Sequence, residues 1–121
     1  MITLDMTKKG ERKITDKHYT TENNILSLLF DAGDYELTNK TVTAVFHPSG
    51  VETSPLNVAE GKITLPIYSD YLQSGLNYIQ LFFRWDTDKV ENSGKYLWLV
   101  EASLLSSQVS DQGVDIVTAL I

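Results

Sequence analysis

The stretch Asp31–Gly50, DAGDYELTNKTVTAVFHPSG, decides the fold class. Val42, Ala44 and Phe46 fall on every second position, and successive side chains of a strand point to opposite faces of a sheet. The run therefore predicts a strand over 41–47 with one apolar face. Asp31-Ala-Gly-Asp34 before it and His47-Pro-Ser-Gly50 after it have the composition of turns.

The same period of two runs outward in both directions. Ile2, Leu4 and Met6 alternate with Thr3 and Asp5 as a short first strand. Residues 8–22 are polar and charged, and suit a loop or an exposed edge strand around Ile14. In 24–30, Leu26, Leu28 and Phe30 share one face, with Ile25 and Leu29 on the other. Residues 49–60 read as a loop with room for one weak strand. Ile63, Leu65 and Ile67 then define a strand over 62–67, and the polar connector 69–75 allows one helical turn ended by Gly75.

The longest alternation lies in 76–85. Ile79, Leu81, Phe83 and Trp85 form one face there, and Tyr78, Gln80, Phe82 and Arg84 the other. Residues 86–95, rich in Asp, Asn, Ser and Gly, read as a turn. In the following strand, 96–104, Tyr96, Trp98, Val100 and Ala102 lie opposite Leu97, Leu99 and Glu101. The acid places that second side near a rim or an exposed face. Short strands punctuated by turns predict an all-β fold, an antiparallel immunoglobulin-like β-sandwich over 1–110.

The rhythm changes at 111–121. Asp111 suits a helix cap, and Asp115 adds negative charge to a first turn. Val114, Val117 and Ile121 recur at spacings of three and four, the pattern of an oligomerisation helix that continues into a longer protein. A terminal strand is the alternative, since Val114, Ile116 and Thr118 also alternate.

Composition restricts function. With 121 residues and 42% hydrophobic content the chain suits one domain with a sizeable core. A net charge of −6 argues against a nucleic-acid partner. Lys8, Lys9, Arg12, Lys13 and Lys17 are interleaved with Glu11 and Asp16, as on a solvated flank. Absence of cysteine removes disulfides, thiolate nucleophiles and cysteine zinc sites. Neither a signal-peptide core nor an apolar run of membrane-spanning length is present, so no membrane association is expected.

Catalytic patterns are sparse, and no enzymatic activity and no cofactor or metal is expected. His18 and His47 read as surface histidines rather than as a metal pair. No serine stands in a Gly-x-Ser-x-Gly elbow. Asp86, Asp88 and Glu91 lack the glycine of a calcium loop and read as solvated acids on a hairpin. Asn39-Lys40-Thr41 matches a glycosylation sequon without a secretory signal beside it. Trp85 and Trp98, or Tyr68 and Tyr71, offer stacking surfaces for a carbohydrate-binding β-sandwich module, although alternating tryptophans pack by default into a core.

In sequence order, Ile2-Thr-Leu-Asp-Met6, Thr7-Lys-Lys-Gly10, the apolar run Ile25–Phe30, the Asp31–Asp34 turn and Tyr35-Glu-Leu-Thr38 lead into Thr41-Val-Thr-Ala-Val-Phe46. Gly61-Lys-Ile-Thr-Leu-Pro66, the Ser74-Gly75 step and an aromatic strand complete the series. This order resembles the N-terminal domain of the baseplate upper proteins of siphophages infecting Gram-positive, lactococcal-type bacteria. Where that family commonly has glycine after the Thr, this chain has Asn39, which also tolerates positive φ. The resemblance implies a structural protein of the virion, in the phage tail baseplate, assembled in the host cytoplasm. It implies docking onto a distal tail hub, receptor-binding proteins carried by a C-terminal part, and a homotrimeric full-length protein.

Overall fold

A computed structural model describes residues 1–104, and these form an all-β fold without an α-helix among them. The strands are β1 (Ile2–Thr3), β2 (Arg12–Ile14), β3 (Ser27–Asp31), β4 (Thr41–His47), β5 (Asn57–Ala59), β6 (Lys62–Pro66), β7 (Gly75–Trp85) and β8 (Lys89–Val100). They build two four-stranded sheets, ordered β1-β3-β6-β5 and β2-β8-β7-β4. The proposed helix residues Val114, Val117 and Ile121, and the domain limit at 110, lie outside the described residues.

Both sheets are mixed. β3–β6, β5–β6, β4–β7 and β7–β8 pair antiparallel, whereas β1 runs parallel to β3 and β2 parallel to β8. The purely antiparallel expectation therefore does not describe these edges. The physical reason lies in the connections, because β1 and β2 are short and each joins a sheet whose other strands come much later in the chain. Such pairings leave no trace in local periodicity.

The alternating residues converge on one core. Phe30, Ala44, Phe46, Ile63, Leu65, Ile67, Ile79, Leu81, Phe83 and Trp98 are fully buried. Phe30 of one sheet meets Tyr96 of the other edge-on, with ring centroids 5.4 Å apart. Aromatic pairs of this geometry add about 0.5–1.5 kcal/mol beyond burial. Segment 51–56 covers the free edge of β4: Phe46 N donates to Val51 O, Thr53 N to Ala44 O and Leu56 N to Val42 O. Unpaired edge groups are thereby satisfied.

The largest local difference from expectation is in 86–95. The turn is confined to Asp86–Asp88, with Asp86 at φ 53°, and β8 already begins at Lys89. Asn92, Ser93 and Gly94 look like loop residues because they form a bulge in β8, between the pairs Phe82↔Asn92 and Gln80↔Lys95. Ser93 Oγ accepts from Leu81 N at 3.0 Å and donates to Gly94 O at 2.8 Å. Gly94 has φ 81° and lies against the backbone of Lys9. A side chain there would collide with the N-terminal segment, so glycine is required for steric as well as conformational reasons. Asn39 adopts φ 61°, in keeping with its tolerance of that region.

Candidate functional site: the outer face of the β2-β8-β7-β4 sheet

One face of this sheet fills the core, and the alternate residues form a continuous outer surface. Hydrogen-bonded register places His47, Tyr78, Leu97 and Lys13 in one row across β4, β7, β8 and β2. Val45, Gln80 and Lys95 form the row on one side, and the Leu76–Leu99 pair lies on the other. Leu99 is 68% exposed and Leu76 48% exposed, high values for leucines directly paired within a sheet.

Two shallow hollows mark the surface. One, of about 400 Å³, is lined by Leu76, Leu97 and Leu99 together with Lys13, Lys17 and Glu101. It opens where the chain bulges away from β8, between the pair Ile14↔Trp98 and the bridge Tyr19↔Glu101. The other, of about 380 Å³, is lined by Val45, His47, Tyr78, Gln80 and Lys95.

Two carboxylates of this face, Glu52 and Glu101, have cationic partners. Glu52 Oε2 lies 3.1 Å from Arg84 Nη1 and accepts from Thr43 Oγ1 at 2.9 Å. The Thr43 hydrogen bond, then the Arg84 contact, lowers the carboxyl pKa. Glu101 Oε2 lies 3.0 Å from Lys17 Nζ, which raises the lysine pKa. Lys13 and Lys95 have no ion pair among the described residues; the Lys95 ammonium stands 5.7 Å from the Tyr78 ring centroid.

His18 corrects its assignment as a surface histidine. It is 2% exposed, its ring centroid 5.4 Å from that of Trp98. Neither ring nitrogen has a hydrogen-bond partner among the described residues, and Glu22 Oε1 stands 3.6 Å from Nδ1. Desolvation lowers the imidazole pKa, with the Glu22 charge opposing it. The polar flanks of 8–22 hid this burial, because a single inward side chain in an irregular segment has no periodicity. His47 is exposed, the last residue of β4, at the opposite edge of the sheet from the β2 side that carries His18.

The other sequence candidates are dispersed. Asp86 and Asp88 sit on the exposed β7–β8 turn, while Glu91 Oε2 accepts from Lys9 Nζ at 2.7 Å and its Oε1 from Tyr35 Oη at 2.8 Å. Among the described residues no cluster of three His, Cys, Asp or Glu could hold a metal. Trp98 is fully buried, its Nε1 donating to Asp16 O at 2.7 Å. Trp85 is half-buried, with Lys40 Nζ 4.5 Å from its ring centroid. The Tyr71 ring packs on Phe46 and Tyr68. Trp98 therefore presents no stacking platform, while Trp85 keeps part of its ring exposed.

Sequence alternation did place Tyr78, Gln80, Leu97, Leu99 and Glu101 opposite the core-forming residues. What it lacked was the pairing that assembles them into one surface with Lys13, Leu76 and His47. No protein-family model and no curated protein matches the chain.

Proposed function

We propose that this chain is a non-catalytic adaptor module of a phage tail baseplate. On this reading it is an immunoglobulin-like sandwich with two parallel edge pairings. It docks onto the distal tail hub and is joined through its C-terminal part to receptor-binding proteins. It acts within the virion, after assembly in the host cytoplasm, and the longer protein is a homotrimer.

The supporting observation is the outer face of the β2-β8-β7-β4 sheet, where Leu76 and Leu99 remain exposed while the candidate acids are engaged in ion pairs or scattered over turns. A contiguous apolar patch with a polar rim suits a macromolecular contact. The strand order Ile2–Met6, Ile25–Phe30 and Thr41–Phe46, resembling that of baseplate upper proteins, supplies the biological setting. The tryptophan-based carbohydrate reading is weakened, because Trp98 is buried and only Trp85 remains partly exposed.

Sedimentation equilibrium tests the proposal. The longer protein bearing this module should sediment as a trimer, and residues 1–121 alone as a monomer at micromolar concentration. A monomeric longer protein overturns the adaptor reading.

A further inference from the structure

We infer that the two adjacent rows Leu76–Leu99 and Tyr78–Leu97 are the docking face, and that its partner is a protein edge presenting aliphatic side chains flanked by Asp and Glu. This rests on the adaptor reading and deepens it by naming the surface and the chemistry it recognises.

The apolar part follows from register. Leu76 faces Leu99 and Tyr78 faces Leu97, so these side chains form a two-by-two block rather than isolated exposures. The adjoining hollow of about 400 Å³ has apolar walls of Leu76, Leu97 and Leu99, room enough for an inserted aliphatic side chain. Water over such a block is released on contact, which is the main attraction available to an uncharged surface.

Charge identifies the partner. The chain carries an excess of six negative charges, yet this face runs the other way. Lys13, Lys17, Arg84 and Lys95 stand on it against Glu52 and Glu101, with Asp16 at the rim. Glu52 and Glu101 are paired with Arg84 and Lys17. Lys13 shares a row with Leu97, and Lys95 lies in the next row, so these two cations, without ion pairs among the described residues, flank the leucine block. A second copy docked face to face would bring like charges together, whereas an acidic edge neutralises them.

The test measures binding of the full 121-residue chain to the tail-hub protein of the same phage, by biolayer interferometry at 50 and 300 mM salt. Leu99→Asp, the double variant Lys13→Glu/Lys95→Glu and the control Ala59→Asp, on the exposed edge of the other sheet, are compared after their melting curves are matched. The first two should weaken binding by at least tenfold and the control should not. Wild-type affinity should fall several-fold at high salt. Failure of the wild type to bind the hub overturns the adaptor reading and the partner with it. Binding that survives Leu99→Asp overturns the face alone. Loss on Leu99→Asp with no effect of charge reversal overturns the acidic partner. A wild-type dimer in sedimentation that Leu99→Asp dissociates makes a second copy the occupant, and so refutes the partner named here.

Discussion

Replacing His18 by phenylalanine should stabilise this protein, and increasingly so in acid. The imidazole is almost completely buried, beside the Trp98 ring, with neither nitrogen hydrogen-bonded among the described residues. A buried polar group left without a partner costs about 1–3 kcal/mol. Phenylalanine preserves the ring against Trp98 and removes the polar atoms. A small overpacking loss, of about 1 kcal/mol or less, offsets part of the gain. The net gain at pH 8 should be about 1–2 kcal/mol, roughly 4 °C in Tm per kcal/mol for a chain of this length.

Burial lowers the folded-state pKa of His18 below the ordinary value of 6.5. The unfolded chain then binds the proton more readily, so wild-type stability falls as pH drops below 6.5 toward the depressed folded value. His18→Phe removes that loss, and the gap between variant and wild type should widen between pH 8 and pH 5. Urea unfolding followed by tryptophan fluorescence at the two pH values measures both quantities. A variant less stable than wild type at pH 8, or a gap that does not change with pH, would show that His18 is not a buried imidazole without a partner.

Two further outcomes are expected. Gly94→Ala places a Cβ 2.8 Å from the Lys9 carbonyl carbon at φ 81°, and should destabilise by about 2–4 kcal/mol. Gly50→Ala, at φ 80° with nothing within 4 Å, should cost only about 1–2 kcal/mol, so equal losses in thermal melts would disprove the clash with Lys9. The Lys9 and Tyr35 hydrogen bonds lower the Glu91 carboxyl pKa from its ordinary 4.5, so its stabilisation is present above 4.5 and is lost as pH falls through the folded value. Because the Lys9–Glu91 pair is about one-third exposed, Glu91→Gln should cost less than about 1 kcal/mol at pH 7 and nothing measurable at pH 2; a loss persisting at pH 2 would contradict this assignment.

Local alternation carried much of the fold. Val42, Ala44 and Phe46, like Ile63, Leu65 and Ile67 or Ile79, Leu81 and Phe83, declare their buried face because pleating alternates side chains and water excludes the apolar set. The β8 boundary did not follow, since Asn92, Ser93 and Gly94 have turn composition but make a bulge whose hydrogen bonds depend on Leu81 and on the passage of Lys9. His18 was hidden for a related reason: nothing in Asp16-Lys-His-Tyr19 shows that Trp98, eighty residues later in sequence, will close over it.

Alternation along the chain is enough to show that the described residues 1–104 are all-β, which side of each long strand is apolar, and that the acids of 86–91 lack a calcium-loop pattern. These are properties of neighbours along the chain. The tertiary structure decided that β1 and β2 join their sheets in parallel, that His18 is enclosed, and that Lys13, Tyr78, Leu97 and Leu99 share one surface. Those outcomes depend on hydrogen bonds between strands up to eighty-four residues apart, as in the pair Arg12–Tyr96, and no local pattern encodes which distant edge a short strand will join.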